Sequence, residues 1–162
     1  MVSLSPLRIV PARLTDRDGS ALAAQVQAEY VLLYGGPDDS LPADERFEPP
    51  DGAFFVGYVD GLPVAMGGWR RRRDVAAFGR QESAEIKRMF VAPDARRRGH
   101  ARAVLHHLEA TARDAGAEVM VLETGTMQPE AIALYETAGY RRINDFGYYS
   151  WSPLSRCFGK PL

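Results

Sequence analysis

Hydrophobic positions in this chain change period several times, and each change marks an element. The run LRIVPARL (7–14) is apolar enough for a strand, with Pro11 placing it at an edge or a bulge. Asp16 then stands where an N-cap belongs, before a helical stretch through 21–33 that ends at Gly35-Gly36-Pro37. AFFVGYVDGLPVAMGGW (53–69) alternates on both sides of Asp60-Gly61, the pattern of a hairpin with a two-residue turn. Residues 70–83 are arginine-rich and then irregular, and AEIKRMFV (84–91) forms the next strand. Over 99–115 the apolar positions Ala101, Val104, Leu105, Leu108 and Ala112 follow a helical repeat that Gly116 caps. EVMVLET (118–124) is a buried strand, so strand, helix and strand here imply a parallel pair with a crossover. QPEAIALYETAGY (128–140) is a short helix with Pro129 at its start and Gly139 at its stop. YRRI (140–143) and LSRCFGK (154–160) are the final strands.

The order β-α-ββ-β-α-β-α-β-β implies one α/β (α+β) domain over 1–162, with a mixed sheet flanked by helices. The polar, proline-rich segment 37–52 is a long loop, with a binding loop and plain disorder as its two readings. Composition narrows the function. Of 162 residues 46% are hydrophobic and 25% charged, the profile of a soluble globular domain. The formal net charge of -1 speaks against a general attraction to nucleic acid. RRRRD (70–74) does not change that, because alternate strand residues point to opposite faces. Cys157 is the single cysteine, which excludes an internal disulfide and fits a reducing compartment. His100 and His107 share a helix face but lie about 10 Å apart along it, so no metal site is expected. No signal peptide and no membrane span are evident, and a cytoplasmic protein is expected.

The chemistry concentrates in VAPDARRRGHARAV (91–104). Three arginines and a glycine stand between a strand and the start of a helix. The first four N–H groups of a helix lack intrahelical partners and, with the helix dipole, attract an anion. Gly99 lets the backbone approach that anion closely, and arginines add charge-assisted hydrogen bonds. The stretch is neither a Walker loop nor GxGxxG. It reads Arg-x-x-Gly-x-Ala at Arg96, Gly99 and Ala101. That pattern resembles the coenzyme A signature [QR]-x-x-G-x-[GA] of the GCN5-related N-acetyltransferase (GNAT) superfamily. QPEAIALYETAGYRRI (128–143) is similar to the superfamily's second signature, with Gln128 in place of its usual asparagine.

The resemblance implies a mostly antiparallel sheet of about seven strands whose fourth and fifth strands splay apart. Acetyl-CoA would be the co-substrate. Its pantetheine arm would lie along Met89, Phe90 and Val91, and its diphosphate on Arg96, Arg97, Arg98, Gly99, His100, Ala101 and Arg102. Tyr135 would protonate the departing thiolate, with a helix tyrosine packed in the core as the plain alternative. Glu85, fourteen residues before Gly99, matches the position of a general base in some members. It reads equally as a strand residue paired with Lys87 or an arginine. Glu123 is the second candidate for base or ammonium anchor. Tyr30 and Tyr34 would border the acceptor, together with the acidic residues Asp38, Asp39, Asp44, Glu45 and Glu48 and the segment NDFGYYSW (144–151). The implied activity is acetyl transfer to a primary amine of a small molecule or amino acid by direct attack. A protein lysine or N-terminus, or an acyl-CoA sensor without turnover, are the alternatives. Superfamily members often dimerise, so a homodimer is compatible with the resemblance.

Overall fold

A computed structural model describes residues 5–38 and 47–162. Asp39, Asp44 and Glu45 of the acidic loop lie outside them. Seven strands and three helices follow in the expected order: β1 (Arg8–Pro11), α1 (Arg17–Tyr34), β2 (Gly52–Val59), β3 (Leu62–Arg72), β4 (Ser83–Val91), α2 (His100–Asp114), β5 (Val119–Gly125), α3 (Pro129–Thr137), β6 (Arg141–Arg142) and β7 (Ser155–Pro161). A 3₁₀ turn at Pro93–Ala95 separates β4 from α2. The strands make one sheet in the order β1-β2-β3-β4-β5-β7-β6, antiparallel everywhere except β4–β5. Pro11 lies on the edge strand, where its missing N–H costs no ladder bond.

Local chemistry accounts for the joints. Asp60 and Gly61 both have positive φ (50° and 78°), as the two-residue turn between β2 and β3 requires. Gly35 closes α1 in the left-handed region and donates its N–H to Val31 O. Period two in β2 sends Phe54 and Val56 to the α1 side, beside Leu22 and Val26, while Phe55 packs under α2 with Val104, Leu105 and Leu108. A Cβ at Gly67 would lie 3.0 Å from Val104 and 3.1 Å from Leu108, so glycine lets α2 settle closely on β3.

Two departures from the sequence expectation shape the site. First, β3 does not end before the arginines but runs on through Arg72. Arg70 and Arg72 reach Glu85 on one face, whereas Arg71 bonds to Ala115 O at the end of α2 on the other. Hydrophobic periodicity is blind to a strand held by cross-strand charges. Second, β4 carries a bulge: Met66 faces Phe90 and Gly68 faces Lys87, so Arg88 and Met89 together oppose Gly67. Arg88 occupies the left-handed region (φ 58°). Beyond Glu85, β4 also parts from β5. Ser83, Ala84 and Glu85 pair with Val119, Met120 and Val121, and 86–91 have no register partner on that side.

Candidate active site

The gap between β4 and β5 is closed by helices from both faces. α1 brings Tyr30 and Tyr34, and α3 brings Gln128 at its N-cap and Tyr135 in its last turns. The Tyr34 hydroxyl donates to Gln128 Oε1 at 3.3 Å. Its tip rests on Gly125 so closely that a Cβ there would clash with it. Burial pushes the Tyr30 phenol up to about 12, with Asp38 adding to the shift and Arg88 and Gln128 opposing it. Burial likewise holds Tyr135 well above the usual phenol range, and Tyr30 adds to it across the gap. The Tyr135 ring packs edge-on against Tyr140 at 5.7 Å, so it also belongs to the core. Its hydroxyl has no hydrogen-bond partner among the described residues.

At the end of β4 lies the arginine–glycine loop in which the resemblance places a diphosphate. Arg97 and Gly99 both have positive φ (63° and 81°), which turns successive N–H groups to one side. Among the described residues, no backbone N–H from Arg97 to Arg102 donates to a protein acceptor, and the first bond of the helix runs from Ala103 N–H to Gly99 O. The space a Gly99 Cβ would enter is open. Arg97, Arg98 and Arg102 are exposed, and His100 and Ala101 are half-buried. Arg96 departs from expectation. Its guanidinium donates to Val91 O (2.9 Å) and pairs with Glu29 (2.7 Å), tying the loop to β4 and α1 instead of facing the N–H groups of 97–102. Met89 packs toward the α2 side at the bulge, and Phe90 and Val91 pack to opposite faces of β4.

The α1 face of the gap is charged. Glu85 is 1% exposed, and its Oε1 accepts from Arg70 (3.0 Å) and Arg72 (2.9 Å), with Lys87 at 4.0 Å from Oε2. The ion-paired reading of Glu85 therefore describes its environment, and the base role expected for it is disfavoured, because cations of its own sheet occupy the carboxylate. Glu123 differs. Period two places it on the face of Val119 and Val121, beneath Gly147 of the 144–151 segment. Its Oε2 is buried with no hydrogen-bond partner among the described residues. Burial first, then Glu85 and Asp38, raise its carboxyl to about 7 against the pull of Lys87 and of the neighbouring Ser155 hydroxyl. Asp38 accepts from the Tyr149 hydroxyl (3.2 Å), joining the end of α1 to the 144–151 segment. Glu48 is exposed near the start of β2. Cys157, opposite Glu123 in the β5–β7 register, is fully buried, and burial pushes its thiol up to about 11. That keeps it protonated and inert at neutral pH. No group of three or more His, Cys, Asp or Glu among the described residues could hold a metal ion.

The sequence reading gave Arg88 no role, because nothing in AEIKRMFV announces a bulge, assigned no contact to Gln128, and reached Tyr149 only as part of the 144–151 segment, where its hydroxyl donates to Asp38.

Residues 23–140 match the Acetyltransferase (GNAT) family. The chain belongs to that family. This acetyltransferase is 35% identical over 130 residues to the IAA acetyltransferase of Azospirillum brasilense, covering 80% of this chain and 81% of that one. It is 33% identical over 156 residues to the N-acetyltransferase YjgM of Escherichia coli K12, covering 89% of each. Its fold superposes with a TM-score of 0.78 on a Klebsiella pneumoniae protein described as an acyl-CoA N-acyltransferase, at 29% identity over 96% of this chain and 97% of that one. The GNAT domain of an S. lividans PAT shares the fold at a TM-score of 0.72 and 20% identity, covering 96% of this chain and 90% of that one. The acetyltransferase is thus an acyltransferase enzyme, with the splayed fourth and fifth strands that the resemblance implied.

Proposed function

We propose that this enzyme moves an acetyl group from acetyl-CoA to the primary amine of a small molecule or amino acid. The observation that carries the reading is the buried Oε2 of Glu123, which has no hydrogen-bond partner among the described residues, on the strand that borders the gap. The cradle fits the co-substrate: six successive free N–H groups from Arg97 to Arg102, open space over Gly99 and exposed arginines suit a diphosphate. Bound acetyl-CoA supplies the acetyl group as an activated thioester.

The chain's own residues do the rest. An amine with a pKa near 10 reaches the site as ammonium and must lose a proton before attack. Glu123, with its carboxyl raised to about 7, is matched to accept that proton near neutral pH. It replaces Glu85 as the favoured base. The Met89 N–H, at the bulge in the β3–β4 ladder, is the donor that meets the carbonyl oxygen as negative charge develops in this reading. The Tyr135 hydroxyl, which burial keeps protonated, gives its proton to the departing thiolate and recovers one from the nitrogen as the amide forms. Tyr30, Tyr34 and Gln128 exclude water from the gap. No covalent enzyme intermediate is required, which agrees with the buried, protonated state of Cys157.

The test is calorimetric titration with acetyl-CoA followed by a free-thiol release screen over amines and amino acids. Saturable binding with amine-dependent release is expected. Absence of acetyl-CoA binding would remove the cradle from the reading, and binding without release from any amine would remove the transfer.

A further inference from the structure

Three buried polar side-chain atoms have no hydrogen-bond partner among the described residues: Arg88 Nε, Glu123 Oε2 and Ser155 Oγ. Native proteins leave few such atoms. These three lie on β4, β5 and β7, the strands around the gap. Glu123 has a role in the reading above, but nothing yet explains Arg88.

Arg88 makes no hydrogen bond or ion pair with any described residue. Its backbone holds a positive φ of 58° that arginine rarely adopts, and such strain gathers at functional positions. The bulge breaks the side-chain alternation of β4 at this position, and Tyr30 of α1 feels the Arg88 charge. α2 and its cradle lie on the other face of the sheet, so the phosphates of a CoA have their own donors. β4 and β5 run parallel with Glu85 opposite Val121, so further along the two strands Arg88 and Glu123 stand at nearly the same level on the two sides of the gap. Although opposite in charge, they do not form an ion pair with each other. A guanidinium offers a planar fork that matches a carboxylate. With Glu85, Asp38 and Glu123 near by, that fork suits a monoanion better than a dianionic phosphate.

We infer that the acceptor is an amino acid: its carboxylate docks on the Arg88 guanidinium while its ammonium faces the free oxygen of Glu123. The inference rests on the transfer reading above and adds the acceptor class and a specificity-determining residue.

The experiment compares matched pairs, glycine with methylamine, alanine with ethylamine, and phenylalanine with phenethylamine. Thiol release is followed for the wild type, Arg88→Met and Arg88→Lys. The amino acid of a productive pair is expected to have the higher kcat/KM. Arg88→Met should reduce that preference about tenfold to a hundredfold, the scale of a lost charge-assisted pair, and Arg88→Lys should retain part of it. Acetyl-CoA affinity, measured for each variant, reports whether it folds. Equal rates within every pair, or a preference that survives in Arg88→Met, would overturn the inference. A second arm titrates the same amino acids calorimetrically into the wild type and Arg88→Met saturated with CoA. Arg88-dependent binding without thiol release would keep the carboxylate site and sink the transfer reading. Release from the decarboxylated amines alone would keep the transfer and sink the carboxylate site. Neither binding nor release would end both.

Discussion

Glu85 and Glu123 stand on adjacent strands and the same sheet face, and their neighbours give them different chemistry. Glu85 meets two arginines delivered by β3, whereas Glu123 meets Gly147 and no donor for Oε2. Spacing in the sequence favours Glu85 at least as much as Glu123, because cross-strand partners are set by register and β3 had to extend through Arg72 to supply them. Tyr135 is more legible, since its motif and its burial agree. Tyr135→Phe should lower kcat about a hundredfold if it acts as the general acid, with acetyl-CoA affinity unchanged by titration. For Glu123, a carboxyl raised to about 7 must be ionised to act as a base, so kcat/KM should fall as pH drops below about 7. Glu123→Gln should remove that limb of the profile. The same shift has a stability consequence. A carboxyl raised above its ordinary value of 4.5 favours the folded state only while protonated, so this contribution is lost as pH rises from about 4.5 through about 7. The group is partly solvated, so Glu123→Gln should stabilise the protein at pH 8 on the order of 1 kcal/mol. That would be a melting-temperature gain of roughly 2–4 °C by calorimetry.

Elements with strong periodicity or turn chemistry were readable to within a residue or two: the β2–β3 hairpin from Asp60-Gly61, α2 from its apolar stripe, and α3 from Pro129 and Gly139. The bulge in β4 was not, because Arg88 takes a glycine-like conformation without being glycine. Nor was the role of Arg96, whose side chain turns to Glu29 on α1, a partner 67 residues away in sequence. The junction of the β4 loop with α2 supports a sharp expectation. Gly99→Leu places a side chain in the space above the free N–H groups at a positive φ, a conformation costing about 1–2 kcal/mol for other residues. Acetyl-CoA affinity should fall roughly tenfold or more, by more than 1.4 kcal/mol, while the circular dichroism spectrum stays that of the wild type.

Across the whole molecule the sheet is nearly two sheets. β1 to β4 form one half and β5, β7 and β6 the other, and the register joins them only through Ser83–Glu85 and Val119–Val121. A ligand seated in the gap would bridge the halves, and at about a hundred times its Kd it would stabilise the folded state by about 2.7 kcal/mol. A thermal shift of roughly 5–10 °C with acetyl-CoA is expected, and a shift independent of acetyl-CoA concentration would contradict it. The two-sided construction also bears on how such an enzyme changes over evolutionary time. The cradle is built from backbone N–H groups at the start of α2, which most side-chain substitutions leave untouched. On the proposed reading, acceptor recognition rests on side chains of α1, Arg88 and the 144–151 segment, on the opposite face. Mutations can therefore revise which amine is accepted while the acetyl donor's seat stays as it was, so new acceptors should arise in this lineage far more readily than new donors.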